Sequence, residues 1–459
     1  MIERLPSGNQ HLDRILGGGL PANAIHLIAG PPGSGKTILA QQYAFTNATV
    51  ERPAVYLSTV SEPLDKLVRF GQTLDFFDVA AIGQRVFYED LGDELEQSGL
   101  EGVLARLRAL LRDRHPGILI IDSFKALAAY ATSNRDFRGF LYALAADSGA
   151  VAGSGLWLGE YDLDTITGEP EFAVADSILA LGSERTSERS SRALEVLKLR
   201  GSGYLSGQHA YRIGAGGLSV FPRLADTIDN SSYDLGAERL STGIEALDVM
   251  LTDGYWPGSS TLCAGPSGIG KTLMGLHFIV AGVSIGEAGI IASLQENPTQ
   301  LARVADAFGW TLDDSVTMMH RSPVDLYIDE WIYELLDTVD RVGARRILID
   351  SLTDLLFASG EDVRFREYMY SLIQRCSRSG VSLFMTSELP DLFSVTRLSE
   401  YGVSHLSDNV LLLQYVRDES TIRRSITALK TRASRNDPRM REFKIGREGI
   451  TLSGSVTAE

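Results

Sequence analysis

The fold of this chain is decided by two stretches of sequence, GPPGSGKT at residues 30–37 and GPSGIGKT at residues 265–272. Each stretch follows a short apolar run and precedes a segment whose apolar residues recur at helical spacing. A glycine-rich loop between a strand and a helix is typical of the Walker A motif, whose backbone N–H groups cradle phosphates. Two such loops in matching contexts predict a duplicated nucleotide-binding protein.

Both loops carry the same phosphate-binding groups. The lysine reaches the β- and γ-phosphates, the threonine offers its hydroxyl to Mg²⁺, and the following helix adds the positive end of its dipole. We therefore predict a bound nucleotide and Mg²⁺ in each half. The predicted nucleotide-binding residues are Gly30, Gly33, Ser34, Gly35, Lys36 and Thr37 in the first loop, and Gly265, Gly268, Ile269, Gly270, Lys271 and Thr272 in the second loop.

The bulk properties of the chain limit the classes of function. A length of 459 residues exceeds one ordinary hydrophobic core and favours two domains. The net charge of −16 disfavours nucleic acid as a partner, because nucleic-acid binding depends on basic surfaces. The two cysteines, Cys263 and Cys376, are expected to be buried reduced thiols, which indicates the cytoplasm. No apolar run approaches the roughly 20 residues that span a bilayer, so we expect no contact with a membrane.

The segments upstream of the two loops repeat as well. The first half has ERLPSGNQHLDRILGGGLP from Glu3, the second has ERLSTGIEALDVMLTDGYWP from Glu238, and no gap is needed from there to the end of each loop. Strand and helix signals alternate around these motifs, which predicts an α/β fold with a mostly parallel sheet and helices on both faces in each half. We predict domains at residues 1–224 and 237–459, joined by a polar linker at residues 225–236.

A second aliphatic strand in each half ends in an acid. ILIIDS places Asp122 at its end, and RILIDS places Asp350 there. A carboxylate at the carboxyl edge of a buried parallel strand suits the Walker B role, in which it holds Mg²⁺ directly or through a water. The alternative is an acid that only caps the next helix, with Ser123 or Ser351 helping. Recurrence beside a phosphate loop in both halves favours Mg²⁺ binding.

Two cations recur near the end of each half. Lys198 and Arg200 in the first half match Lys430 and Arg432 in the second. Side chains two residues apart on a strand face the same side, so each pair is a candidate clamp for a γ-phosphate. The alternative is a solvated strand edge that carries protective charges.

The ordered set of motifs, present twice, resembles the KaiC and KaiC-like ATPases, which are tandem members of the RecA-type group. KLRGS at residues 198–202 and LLLQYV at residues 411–416 are especially close. The resemblance implies two RecA-like P-loop NTPase domains in a hexameric double ring, with ATP bound between subunits. It implies slow, Mg²⁺-dependent ATP hydrolysis that serves as a regulatory switch, and a KaiB-like or other signalling protein as partner. The lysine and arginine pairs would then reach the nucleotide of a neighbouring subunit.

The chain departs from the family at the residues that activate water. The family typically has paired glutamates after the strand that follows the phosphate-loop helix. Here Glu296 keeps one carboxylate and Gln295 takes the other position, whereas in the first half Glu62 lies one residue beyond the pair's positions. One residue along a strand reverses the side-chain direction, so Glu296 is the preferred base and Glu62 the second candidate. The alternative for Glu296 is a helix N-terminal acid beside Asn297 and Pro298.

Clock-type members also phosphorylate themselves on adjacent Ser and Thr before the LLLQYV strand. Ser404 falls on the serine position and His405 replaces the threonine, so the resemblance implies a single candidate site of serine autokinase activity. The alternative is an ordinary serine in a polar loop.

Three functional hypotheses follow from the sequence. The first is a KaiC-like ATPase switch with Glu296 as the base. The second is a scaffold that binds ATP for assembly without hydrolysing it. The third is a DNA-dependent RecA-type motor, which the acidic balance disfavours.

Overall fold

The computed structural model describes residues 2–59, 63–150, 153–162, 168–186, 189–224, 238–324, 326–359, 362–392, 403–418, 421–432 and 434–455. Its contacts divide the chain into two compact units, Met1–Arg223 and Leu224–Glu459. The predicted linker at residues 225–236 lies outside the described residues. Within the described ranges, no helix is long and apolar enough to cross a membrane.

The first unit begins with a two-stranded antiparallel sheet whose strands flank a short helix, and it continues as alternating strands and helices. Its elements are β1 (Arg4–Leu5), α1 (Gln10–Ile15), β2 (Leu20–Pro21), β3 (Ile25–Ala29), α2 (Lys36–Asn47), β4 (Ala54–Ser58), α3 (Leu64–Gly71), β5 (Val86–Asp90), α4 (Gly92–Arg114), β6 (Ile118–Asp122), α5 (Asn134–Ala150), β7 (Ser154–Gly159), α6 (Pro170–Val174), β8 (Ser177–Thr186), β9 (Arg189–Leu199), β10 (Gln208–Gly214) and β11 (Gly217–Phe221), with 3₁₀ helices at Val79–Ala81 and Phe124–Tyr130.

The second unit repeats the main order of strands and helices, with an isolated bridge between Leu240 and Tyr255 in place of β1 and β2. Its elements are α7 (Glu245–Met250), β12 (Ser260–Gly265), α8 (Lys271–Val283), β13 (Gly289–Ser293), α9 (Pro298–Ala307), β14 (Val316–His320), α10 (Ile328–Val342), β15 (Arg346–Asp350), α11 (Leu352–Ser359), α12 (Asp362–Arg378), β16 (Ser382–Glu388), α13 (Val403–Leu406), β17 (Asn409–Asp418), β18 (Thr421–Thr431), β19 (Arg441–Gly446) and β20 (Gly449–Ser455).

Each unit contains one large sheet. In the described part of the first unit the strand order is β11-β10-β9-β8-β3-β7-β6-β4-β5, and in the second it is β20-β19-β18-β17-β12-β16-β15-β13-β14. The strands from β8 to β5, and from β17 to β14, pair in parallel, whereas the three strands at the other end of each sheet pair antiparallel. The predicted fold class, a mostly parallel RecA-like α/β sheet in each half, is confirmed.

Helices cover both faces of the sheet because the central strands are buried and largely apolar on both sides. In β3, Ile28 packs into the cluster that contains Leu39 of α2, whereas its neighbour Leu27 packs into the cluster that contains Leu107 of α4. Successive side chains of a strand point to opposite faces, so a continuous apolar run needs cover on both sides. This burial fixes the strands whose carboxyl ends carry the predicted site.

Two buried histidines make the scaffold of the sites sensitive to acid. His26 on β3 contacts the carbonyl of Pro21 through Nε2 at 3.0 Å, and His277 on α8 accepts a hydrogen bond at Nε2 from the N–H of Ile450 at 2.8 Å. Burial lowers the pKa of each imidazole from 6.5 to about 4. The folded chain therefore holds both histidines neutral at pH values where the unfolded chain protonates them.

We expect the free energy of unfolding to fall as pH drops from about 6.5 to 4, by roughly 3 kcal/mol per histidine. Stability falls with pH because the unfolded state binds more protons than the folded state throughout this window. The folded chain therefore has its full stability above about pH 6.5. Urea denaturation at pH 7, 5.5 and 4 measures the effect. The variant His277→Gln should be less stable than wild type at pH 7, and its free energy of unfolding should change less with pH. His405→Gln, at an exposed position, is the control and should follow the wild-type pH dependence. Parallel pH profiles for wild type and His277→Gln would contradict this expectation.

Candidate functional site

The two phosphate loops have the same geometry. Gly35 and Gly270 end the loops with φ of 93° and 118°, a left-handed conformation that favours glycine. A Cβ at Gly35 would also lie only 2.7 Å from Cδ1 of Ile213. Lys36 and Lys271 follow as the first residues of α2 and α8. The predicted strand–loop–helix context is therefore present in both units.

Each loop lysine folds back onto its own loop. Lys36 Nζ donates to the carbonyls of Gly30 at 2.8 Å and Pro31 at 2.9 Å. Lys271 Nζ donates in the same way to Gly265 at 2.9 Å and to the next carbonyl at 2.8 Å. Burial lowers the pKa of both ammonium groups, and nearby carboxylates oppose that shift. An anion in the loop offsets the desolvation of the ammonium, so the site favours phosphate.

The predicted Walker B acids lie beside the loop threonines. Thr37 Oγ1 donates to Asp122 Oδ2 at 2.8 Å, and Thr272 Oγ1 donates to Asp350 Oδ2 at 2.7 Å. A second hydroxyl reaches each acid, from Tyr56 to Asp122 at 2.5 Å and from Thr386 to Asp350. Both carboxylates thus face the phosphate loops, which argues against the interpretation that they only cap the following helices.

The threonine and aspartate of each unit fit Mg²⁺ bound to a nucleotide. The threonine hydroxyl and the aspartate carboxylate both offer oxygen atoms, the ligand type that Mg²⁺ prefers. Mg²⁺ usually takes one or two protein ligands together with phosphates and waters. Among the described residues, no group of three or more His, Cys, Asp or Glu side chains is placed to hold a metal ion on its own. The two oxygen ligands of each unit therefore suit a Mg²⁺ ion that is bound together with the nucleotide.

Glu296 lies at the carboxyl edge of the second sheet, three residues after the end of β13. Its Oε2 is buried and has no hydrogen-bond partner among the residues that the structure describes. Burial, and then the charge of Asp350, raise the pKa of Glu296. Asn297 is the N-cap of α9 and forms a capping box with Gln300, so the hydrogen-bonding cap of that helix is not Glu296. Glu296 as the base stays a prediction, as does its alternative as an acid beside the N-terminus of α9.

The corresponding position in the first unit carries no glutamate. Ser58 pairs with Asp122 in the same register in which Ser293 pairs with Asp350. Counting three residues onward from each serine aligns Ser61 with Glu296. The second candidate base, Glu62, lies outside the described residues.

The cation pair of the first unit is not gathered at its own phosphate loop. Lys198 pairs with Ile178 of β8, and the first residue of β8 pairs with His26 near the start of β3. Gly30, where the loop begins one residue past the end of β3, lies four residues beyond His26, a rise of about 13 Å for extended chain. Lys198 and Arg200 therefore lie at the amino-terminal edge of the parallel strands, whereas the phosphate loop lies at the carboxyl edge.

Local contacts hold this pair in place. Lys198 Nζ donates to the carbonyls of Phe172 at 3.2 Å and Ala173 at 3.3 Å, in α6. Arg200 lies one residue beyond the end of β9, where its guanidinium pairs with Asp176 at 3.3 Å. The backbone N–H of Arg200 bonds the carbonyl of Asp176 at 3.0 Å and so continues the β8–β9 ladder by one residue, and the role of the two cations as a clamp stays a prediction.

The second unit has the equivalent arrangement. Lys430 Nζ donates to the carbonyls of Ser407 at 2.6 Å and Ser404 at 3.2 Å, and Arg432 pairs with Asp408 at 3.4 Å. β18 ends one residue before Arg432, whose backbone N–H continues the β17–β18 ladder by bonding the carbonyl of Asp408 at 2.9 Å. Ser404 lies on the short helix α13 before β17, and therefore at the same edge as the cations.

Sequence reasoning missed several residues that the structure brings to these edges. Asp176 and Asp408, which directly precede β8 and β17, accept hydrogen bonds from the first residues of the phosphate-loop strands and also pair with the arginines. The carboxylates that follow β7 and end β16 raise the pKa of the loop lysines against the effect of burial. The missed residues are Asp176, Asp408, Glu160, Glu388, Tyr56 and Thr386.

Part of this set had a sequence signal. The two glutamates stand at the carboxyl ends of largely apolar strands, as the Walker B acids do, and the two aspartates recur in both halves. Tyr56 and Thr386 had none, because they come from different strands of the two units and do not repeat.

Both units resemble known proteins in sequence. The family model of the KaiC ATPase matches residues 5–225 and again residues 240–456. The chain belongs to the KaiC family of ATPases. The two KaiC matches coincide with the two units, and each contains one phosphate loop with its Walker B acid.

The curated relatives of this KaiC-family chain extend over nearly its whole length. The circadian clock protein KaiC3 of Synechocystis sp. is 28% identical over 472 residues, which cover 98% of this chain and 92% of that protein. The circadian clock oscillator protein KaiC of Prochlorococcus marinus is 28% identical over 476 residues, with coverage of 99% and 93%. KaiC of Thermosynechococcus vestitus is 25% identical over 474 residues, with coverage of 99% and 90%.

Proposed function

We propose that this KaiC-family ATPase binds MgATP in both units and hydrolyses it slowly at subunit interfaces of a hexameric double ring. The observation that carries the proposal is the position of the cation pairs. In both units they lie at the sheet edge opposite the phosphate loop of the same unit. A neighbouring copy that presents this edge would complete the pocket, as arginine fingers do in related enzymes.

Residues of the second unit have distinct roles in the proposed reaction. Lys271 exchanges its loop carbonyls for phosphate oxygens, and Thr272 with Asp350 holds Mg²⁺. Bound Mg²⁺ neutralises charge on the β- and γ-phosphates. Glu296 takes a proton from the attacking water through its unpartnered Oε2, and its raised pKa makes it a stronger base than an ordinary glutamate. Lys430 and Arg432 of a neighbouring subunit stabilise the developing charge.

The first unit is proposed to bind ATP mainly for assembly. Lys36, Thr37 and Asp122 repeat the nucleotide site of the second unit. Position 61, which corresponds to Glu296, is a serine without a basic side chain. Glu62 stays the candidate base there. The scaffold hypothesis therefore applies to this unit better than to the whole chain.

The regulatory output is proposed to be a partner-binding surface whose state follows the nucleotide. The relatives carry the names of circadian clock proteins, and a KaiB-like or other signalling protein in the cytoplasm is the partner class we propose. Serine autokinase activity at Ser404 belongs to the same proposal, because Ser404 lies on the edge that would meet a neighbour's nucleotide.

Mixing two inactive variants tests whether the pocket is shared between subunits. Glu296→Gln removes the base, and Lys430→Ala with Arg432→Ala removes the cations, so each variant alone should lose second-unit ATP turnover. Mixed rings unite an intact base with an intact cation pair, and a 1:1 mixture should regain about a quarter of wild-type turnover by random assembly. Native mass spectrometry verifies subunit exchange and hexamers. Exchange without recovered turnover would refute shared sites.

A further inference from the structure

A side-chain contact outside the phosphate loops ties the segment that carries Glu296 to the segment that carries Asp350. Gln295 Nε2 donates to both carboxylate oxygens of Asp354, at 3.0 Å and 2.9 Å. Ser351 Oγ donates to Oδ2 of the same carboxylate at 2.5 Å. Asp354 therefore receives donors from two segments, the loop after β13 and the turn after β15.

The residues of this contact are direct neighbours of Glu296 and Asp350 in the chain. Gln295 directly precedes Glu296, and Ser351 directly follows Asp350. One backbone bond, from the N–H of Leu294 to the carbonyl of Asp350 at 2.9 Å, joins the same segments. Because Glu296 Oε2 has no partner among the described residues, no hydrogen bond at that oxygen aims it. Its direction therefore depends on the loop backbone, which is held by the hydrogen bond from the N–H of Glu296 to Ser293 Oγ at 3.1 Å and by the side chain of Gln295.

The contact needs one neutral and one charged partner. The amide of Gln295 donates to a carboxylate, whereas a carboxylate at position 295 would face that of Asp354 at about 3 Å and repel it. The equivalent positions of the first half are Val60 and Ala126, which cannot form such a hydrogen bond. The contact is thus specific to the unit in which we place hydrolysis.

We propose that Gln295 and Asp354 form a clamp that positions Glu296 for proton abstraction. Asp354 is a positioning residue, since it acts through Gln295 and the loop. This inference rests on the proposed function, because it takes Glu296 as the base. The clamp should govern kcat and leave ATP affinity unchanged, since neither residue belongs to the phosphate loop.

A charge exchange across the clamp tests this role in the full-length protein. Gln295→Glu places two carboxylates face to face, and Asp354→Ala removes the acceptor without adding repulsion. Each should lower kcat about tenfold or more, because small misplacements of a catalytic group are costly, with little change in ATP affinity. The double variant Gln295→Glu with Asp354→Asn rebuilds the contact with the donor reversed. It should return kcat to within about threefold of wild type, a coupling that two independent effects do not produce.

Three outcomes distinguish a failure of the clamp proposal from a failure of the proposed function on which it rests. If Glu296→Gln retains wild-type turnover in the same assay, the proposed base is wrong. If Glu296→Gln is inactive while Gln295→Glu and Asp354→Ala keep or raise wild-type kcat, the clamp alone is overturned. Failure of the double variant to recover also overturns it, provided that its melting temperature matches that of wild type.

Discussion

Glu296→Gln is expected to lower steady-state ATP turnover by about 10²–10³-fold while leaving ATP affinity within about twofold, as for the loss of a general base. The substitution keeps the size and hydrogen-bonding capacity of the side chain but removes its basicity. Glu296 lies outside the phosphate loop, so nucleotide binding should persist. Phosphate release and titration with a fluorescent ATP analogue measure the two quantities separately.

The matched control is Glu245→Gln, an identical change at an exposed position in the first turn of α7. It should leave both quantities unchanged. Equal turnover for wild type and Glu296→Gln would remove this residue from the mechanism and leave the assembly hypothesis for the second unit.

The pH dependence of turnover gives an independent measure of the same residue. Burial and the charge of Asp350 raise the pKa of Glu296, so its proton is bound at higher pH than for an ordinary glutamate. Turnover should therefore decline as pH falls, with the decline beginning at a higher pH than an unperturbed glutamate would give. The residual turnover of Glu296→Gln should not decline in this way as pH falls. The same decline in both proteins would mean that another group causes it.

Replacing the loop lysines is expected to separate the roles of the two units. Lys36→Ala and Lys271→Ala should each weaken ATP binding in their own unit by about 10²–10³-fold, because each removes two charge-assisted hydrogen bonds to phosphate. Lys271→Ala should also stop most turnover. Lys36→Ala should dissolve the oligomer and hardly change the residual turnover, because we assign assembly to the first unit.

Light scattering after size-exclusion chromatography, ATP stoichiometry and phosphate release measure these effects. Lys444→Ala is the control, since that side chain is 73% exposed on β19. An intact ring in Lys36→Ala would count against the assembly role of the first unit. Unchanged ATP stoichiometry in either variant would count against the loops as nucleotide sites.

The repeated motifs were predictable because the physics that requires them is local. A loop that wraps a phosphate needs glycine where φ is positive, as at Gly35 and Gly270, and a lysine at the start of the next helix. Buried parallel strands are apolar on both faces, so Asp122 and Asp350 were visible as acids at the ends of aliphatic runs. Such signals need no knowledge of which strands pair.

The sequence by itself determined the KaiC-family fold, the two phosphate loops and their acids, since each depends on a contiguous pattern. Only the tertiary structure decided that Lys198 and Lys430 lie at the edge opposite their own loops, because strand order and register set that distance. It also decided the contact of Gln295 with Asp354, whose partners lie 59 residues apart. Contacts across a sheet arise from pairings between distant segments, and no local pattern of residue types encodes them.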